Sequence, residues 1–343
     1  MPTTPNTLPT SAPASAARAH ARGALYGLAL GDALGMPTQS MSRAEIAEDY
    51  GRITDFRDAG PRQRIAAGMP AGSITDDTEQ AVLLAHLLID GNGSFDALGF
   101  ATRLIEWERD MEARGSLDLL GPSTKAAVQR LTEGASVSES GRFGSTNGAA
   151  MRIAPVGIAF DAADLTGFVD AVARASEVTH NTTLGIGSAA AIGAAVSAGV
   201  RGASLAEAIE VACAAAEEGE SRGHWIAGGS IAARARWATR YLAGIPRAQH
   251  PDAVATVIGT SVASQESVVA ALAIASVSED PWDTLCLAAG VGGDTDTIAA
   301  MAGAVLGAVH GFDAWPTNAV HTLTAVNALD LDTLADELLS LRH

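Results

Sequence analysis

Apolar runs broken at short intervals by small polar clusters dominate this chain, and few of them alternate with the period of two that a half-buried strand needs. The pattern predicts helices over Ala16–Leu34, Ser42–Tyr50, Glu79–Asp90, Phe95–Arg114, Ser123–Glu133, Leu165–Thr179, Thr183–Ala198, Ser204–Glu218 and His224–Leu242. It continues over Asp252–Ile258, Ser267–Ser278, Pro281–Gly290, Thr297–Val309, Pro316–Leu323 and Leu331–Leu341. The segments between them are rich in Gly, Pro, Asn and Ser, the residues that start and stop helices. No proline-rich linker divides the chain and no repeat period is visible, so the expectation is one all-α domain over residues 16–343. Met1 to Ser15 is rich in Pro, Thr, Ser and Ala and reads as a disordered tail, without the basic start and apolar core of a secretory signal.

Aromatic residues make up only 4% of the sequence, with abundant Ala and Gly, so the core must be built from small side chains on closely approaching helices. Thr182 to Val200 is uncharged and nearly long enough to span a bilayer. It is mostly Ala, Gly and Ser, which insert weakly, and a buried core helix is the expectation. The net charge of −17 argues against a nucleic-acid polymer or an anionic membrane as partner, since both require a basic surface. It leaves a small anionic ligand open, because local cations reverse the field at a site. The two cysteines, Cys213 and Cys286, sit in Ala-rich apolar stretches, which fits buried reduced thiols and a cytoplasmic setting.

Two acidic clusters carry the candidate chemistry: Thr75-Asp76-Asp77-Thr78 and Asp294-Thr295-Asp296-Thr297. Each follows glycine and runs into an apolar helix. Adjacent helical side chains diverge by about 100°, so the cluster residues are expected in turns just before their helices. Asp76 with Glu79 also has the spacing of a capping box, and one carboxylate at each helix start would serve as an N-cap. A cap needs one carboxylate, however, and each cluster supplies two. Oxygen donors without His or Cys suit Mg²⁺, Mn²⁺ or Ca²⁺ rather than zinc. Four aspartates could hold two such ions, which would polarise substrate oxygens and supply a hydroxide.

Three other segments stand out. Gly144-Ser145-Thr146-Asn147-Gly148-Ala149-Ala150-Met151-Arg152 is either a turn whose amides and Arg152 meet an anion, or a plain loop with Arg152 in a structural ion pair. Asp32, inside Gly31-Asp32-Ala33-Leu34-Gly35, reads as a buried carboxylate that accepts backbone hydrogen bonds. His180 stands in a polar break between apolar helices, either as a structural hydrogen-bonder or as a ligand contact.

In combination these segments resemble the ADP-ribosylglycohydrolase family, over about residues 20–310 and in the family's order. The resemblance implies an orthogonal all-α bundle with a dinuclear Mg²⁺ or Mn²⁺ centre. It implies that Thr75, Asp76 and Asp77 bind one ion, that Asp294 and Thr297 bind the other, and that Asp296 bridges. Gly144, Ser145, Thr146, Asn147 and Gly148 would face ribose and phosphates, with His180 nearby. Two departures bear on chemistry. Gln39 stands where the family commonly has a Glu, so proton transfer falls to Asp77, Asp296 or Asp118. Phe143 stands where some relatives have a Tyr beside the glycines. The implied activity is hydrolysis of a ribosyl glycosidic bond, in a modified protein side chain or small ADP-ribosyl compound. The alternatives are a small nucleoside or other free ribosyl substrate, and an inactive ADP-ribose-binding relative. Monomer and dimer are both open.

Overall fold

The computed structural model describes residues 14–113 and 120–342. The first half of the chain holds α1 (Ala14–Gly35), α2 (Arg43–Asp49), α3 (Asp76–Asp90), α4 (Ala97–Ala113), α5 (Pro122–Thr132), α6 (Val137–Ser140), α7 (Gly148–Met151), α8 (Ala154–Ala159) and α9 (Leu165–His180). The second half holds α10 (Thr183–Val200), α11 (Leu205–Gly219), α12 (Ile231–Ala243), α13 (His250–Ala253), α14 (Ser264–Ser276), α15 (Pro281–Ala288), α16 (Thr295–His310), α17 (Thr317–Asn327) and α18 (Leu331–Ser340). The fold is all-α. Among the described residues β-pairing is limited to three isolated bridges, Met41–Gly293, Thr146–Ala263 and Thr182–His224.

Small residues set the architecture. Along α1, Gly23, Gly27, Gly31 and Gly35 recur every fourth residue and form one stripe. A Cβ on Gly27 would lie 2.1 Å from the Gly303 carbonyl oxygen, and one on Gly35 would lie 2.4 Å from the Asp296 backbone. The stripe thus lets α1 run backbone to backbone along α16, joining the two ends of the chain. The Trp315 indole closes the far end of this pair by donating to the Gly23 carbonyl at 2.9 Å. One hydrophobic core runs from Ala21 to Leu338. Through it passes α10, apolar and long enough for a membrane span but 94% buried inside the protein, as its Ala- and Gly-rich composition predicts.

Several predicted boundaries shift. The expected His224–Leu242 helix begins only at Ile231, because Gly228 and Gly229 break it and Ser230 caps it through the Ala233 amide. The short helices α6, α7 and α8 carry too few residues to show periodicity and were not predicted. Asp252–Ile258 is a single helical turn continued by a π-turn over Val254–Ile258. Of the expected tail, residues 1–13 lie outside the described residues, and Ala14 and Ser15 already belong to α1.

Candidate metal centre

The two acidic clusters meet. Thr75 and Asp294 are the N-caps of α3 and α16, and the remaining cluster residues lie in the first helical turn rather than before it. The expectation of pre-helical turns therefore needs correction. The free amides and positive end of a helix dipole accommodate carboxylates in the first turn, and the residues need not all converge on one point. Thr75, not Asp76, is the N-cap of α3, so the capping-box spacing of Asp76 and Glu79 does not fall at the cap. Glu79 instead accepts the indole N–H of Trp107, and Thr75 makes no side-chain cap bond.

The last turn of α1 joins the two helix starts. The buried Asp32 accepts from the Thr75 amide at 3.1 and 3.0 Å, the Thr75 hydroxyl at 2.7 Å, the Thr78 amide at 3.1 Å and the Thr78 hydroxyl. This is the backbone-accepting aspartate that the sequence suggests, and it takes over the capping of α3 from outside the helix. Three residues on, Gly35 lies against the backbone of Asp296. Across the junction, the Thr297 hydroxyl donates to Asp77 Oδ2 at 3.2 Å, linking segments 220 residues apart. The α16 turn is fixed by backbone contacts: Asp294 N–H to the Thr260 carbonyl at 2.8 Å, and Gly293 N–H to the Met41 carbonyl at 2.9 Å.

The carboxylates differ in their partners. Asp76 Oδ2 accepts from Gln80 at 2.9 Å, and Asp294 Oδ2 accepts from Asn147 at 2.5 Å. Asp77 Oδ1 and both oxygens of Asp296 are buried with no hydrogen-bond partner among the described residues. Burial, then Asp296 and the other aspartates, pushes the Asp77 carboxyl well above the usual range. Burial, then Asp294, Asp32 and Asp76, does the same to Asp296. Burial raises Asp294 to about 6 against the hydrogen bonds of Asn147 and Thr297, and Asp32 likewise to about 6 against its threonine donors. Buried carboxylates without donors carry a large desolvation cost, which a divalent cation would offset. Among the described residues no group of three or more His, Cys, Asp or Glu side chains is arranged to hold a metal ion by itself. The donor set is mixed carboxylate and hydroxyl oxygen, the chemistry of hard cations that retain waters.

Asp76, Asp294 and Thr297 open onto a cavity of about 270 Å³, also lined by Gln39, Ser40, Thr146, Asn147 and Gly148. Thr124, Leu120 to Pro122, Ile65, Met151 and Val262 complete the wall. Of the segment Gly144 to Gly148, only Thr146, Asn147 and Gly148 line the cavity. The Ser145 carbonyl is taken by the amide and hydroxyl of Ser264. Gly144 packs against the Thr179 carbonyl. Phe143 is 58% exposed and does not line the cavity, with the guanidinium groups of Arg130 and Arg142 over its ring. His180 is fully buried behind the loop, bonded to Thr146 at 2.9 Å and Thr179 at 2.8 Å. Burial, then Arg152, holds its imidazole well below the usual pKa. Its place is to support Thr146. Arg152 is also fully buried, donating to Gln80 at 3.1 Å and Thr179 at 2.6 Å over the Phe100 ring, 4.7 Å away. Burial lowers its pKa to about 9. It does not line the cavity and instead orients Gln80, hence Asp76.

Asp77 and Asp296 lie in the interior and do not line the cavity, whereas Asp118 lies outside the described residues. Gln80 was missed by sequence reasoning, although its position one helical turn after Asp76 is visible in the sequence.

A helical fold closed by a carboxylate junction defines a class before it defines a member. A family model described as ADP-ribosylglycohydrolase matches residues 13–343, and the chain belongs to that family of glycosidic hydrolases. Uncharacterized protein YegU of Escherichia coli is 33% identical over 312 residues, covering 90% of this chain and 93% of the relative. An uncharacterized protein of Archaeoglobus fulgidus is 32% identical over 80% of this chain and 82% of its own length. ADP-ribosylhydrolase ARH3 of Bos taurus is 28% identical over 71% of this chain and 72% of its own. A solved structure described as an ADP-ribosylglycohydrolase-related protein complex superposes with a TM-score of 0.69 at 23% identity. It covers 95% of this chain and 99% of that one, a likeness of fold.

Proposed function

We propose that this chain hydrolyses a ribosyl glycosidic bond with the help of two Mg²⁺ or Mn²⁺ ions. The observation that carries the reading is the set of unpartnered carboxylate oxygens on Asp77 and Asp296, where the two helix starts meet beside a cavity. Thr75, Asp76, Asp77, Asp294, Asp296 and Thr297 would hold the ions. When bound, these would polarise the ribose hydroxyls and lower the pKa of a water. The chain's own part is to keep the oxygens in register. Asn147 aligns Asp294, Gln80 aligns Asp76, and Thr297 ties Asp77 to α16. Asp76 and Asp294 line the cavity, and in this reading one of them would take the proton of an attacking water as an oxocarbenium-like transition state forms. Gln39 has a buried, unpartnered Oε1, fit to accept from a substrate hydroxyl but not to take a proton near neutral pH.

ADP-ribosyl compounds, on protein side chains or free, are the substrates the family points to. A second reading, a small uncharged ribosyl compound such as a nucleoside, draws on the cavity itself. About 270 Å³ is small, and no Lys or Arg lines it among the described residues. Metal-reconstituted protein offered ADP-ribosyl-arginine and a panel of nucleosides separates the two by which is hydrolysed. Equal activity after exhaustive chelation would remove the metal-dependent mechanism altogether.

A further inference from the structure

Three residues after Ser40, which lines the acidic cavity, Arg43 lines a second cleft of about 600 Å³ that shares no lining residue with it. Its wall is largely apolar, with Ile46, Ile53 and Leu287, yet three arginines, Arg43, Arg52 and Arg247, also line it. Three guanidinium groups on one cleft are unexpected in a chain of net charge −17. Their carboxylate partners do not match them. Asp283 is the only acid in the lining and is shared, accepting from Arg52 at 2.6 Å and also from Arg247. Arg43 pairs with Asp252, whose side chain is 72% exposed and lies outside the lining. Asp55 and Asp280 act on Cys286, at the cleft wall, only through space. Each arginine engages its carboxylate through one nitrogen, although a guanidinium carries five N–H donors. Arg43 Nε is shielded from solvent with no partner among the described residues.

We propose that this cleft binds a small organic anion with an apolar body, an aryl or alkyl carboxylate or monophosphate. Spare guanidinium donors hold the head group, since planar forks match carboxylate and phosphate oxygens. Ile46, Ile53 and Leu287 cover the body. An inorganic anion would leave that wall wet, and a neutral hydrocarbon would leave the arginine donors unmatched.

The test uses the full chain and 8-anilinonaphthalene-1-sulfonate, followed by fluorescence, with neutral N-phenyl-1-naphthylamine as the uncharged comparison. Saturation at one dye per chain is expected, with displacement by phenyl phosphate but not by inorganic phosphate at equal concentration. The Arg43→Gln/Arg247→Gln double variant should bind at least about tenfold more weakly. The Arg43→Lys/Arg247→Lys pair should retain most of the affinity, with thermal melts verifying that both variants are folded. Unchanged dye affinity in the Gln variant, or equal binding of the neutral dye, overturns the proposal. So does a wild-type dimer in sedimentation that Leu287→Ser dissociates, because the cleft would then be a surface between two copies of the chain.

Discussion

The starts of α3 and α16 carry the same kind of sequence, yet they are held in opposite ways. At α3 the scaffold is a side chain: the Asp32 carboxylate gathers amides and hydroxyls of Thr75 and Thr78. At α16 it is backbone: Thr260 and Met41 carbonyls fix Asp294 and Gly293, and Gly35 presses against Asp296. The acid that caps α3 is consumed by that task. At α16 no acid is consumed, and both oxygens of Asp296 are left over. The difference separates an aspartate that stabilises a helix from one that is available to an ion, although both are buried and both titrate above the usual range.

The comparison is broken most directly at Asp296. Loss of a partner that merely orients a metal ligand costs about 10–100-fold in affinity or activity, so removing a direct ligand should cost more. Asp296→Asn is expected to lower turnover by more than about 100-fold while leaving the melting temperature of the metal-free protein unchanged or raised, because a buried charge is removed. Near-normal turnover in this variant would rule out Asp296 as the bridge.

Asp32→Ala should give the opposite pair of results. It strips the partners from two buried amides and two hydroxyls, each worth about 1–3 kcal/mol when left unsatisfied. Part of this is recovered as water enters, so a stability loss of about 3 kcal/mol is expected in denaturant titration. Turnover should fall only as far as α3 shifts. A variant as stable as the parent would mean that α3 is capped by something other than Asp32.

These roles were unevenly legible in the sequence. The all-α class and most helix positions follow from periodicity. The buried Asp32 was readable because a charge inside an apolar, glycine-flanked run has to be satisfied. The glycine stripe on α1 was in plain view, but its partner on α16 lies across the whole chain, and spacing alone does not say which helix a small face will meet. The same limit explains His180 and Arg152. Both are polar residues at a candidate loop, and only packing shows that they are buried behind the cavity wall, His180 bonded to Thr146 and Arg152 to Gln80. Phe143 lies outside the cavity lining, and the guanidinium groups over its ring come from Arg130 on α5 and from its chain neighbour Arg142, an arrangement that spacing alone does not show.

Asn147 sharpens the contrast within the candidate metal centre. It donates to Asp294 and also to the Ser267 hydroxyl at 2.9 Å, so it locks one carboxylate of the α16 set. Asn147→Ala should weaken Mn²⁺ binding by about 10–100-fold in calorimetric titration, with a smaller stability change than Asp32→Ala. Unaltered Mn²⁺ affinity would show that Asp294 is positioned by the backbone alone.

The smallest effect is the pH dependence of the metal-free protein, and its sign is fixed. Asp77 and Asp296 titrate well above their ordinary values when folded, and Asp294 titrates near 6. An unfolded aspartate titrates near about 3.9. Between that value and the folded ones, the folded chain binds more protons than the unfolded chain, so this cluster loses stabilising effect as pH rises. Exposed acids such as Asp330 and Asp336, whose pKa values are lowered by Thr333 and Arg18, act in the opposite sense but at lower pH, around and below their ordinary values. Chelated protein should therefore melt a few degrees lower at about pH 7 than at about pH 5, the scale of a 1–2 kcal/mol change in a chain of this size. The Asp77→Asn/Asp296→Asn double variant should show a flatter slope, because two of the raised carboxyls are gone. Saturating Mn²⁺ should flatten or invert the slope in the parent, since the ion binds the deprotonated form and gains affinity as protons leave. An identical slope in parent and double variant would move the titration to Asp32 and Asp294, and with it the charge that the ions are proposed to neutralise.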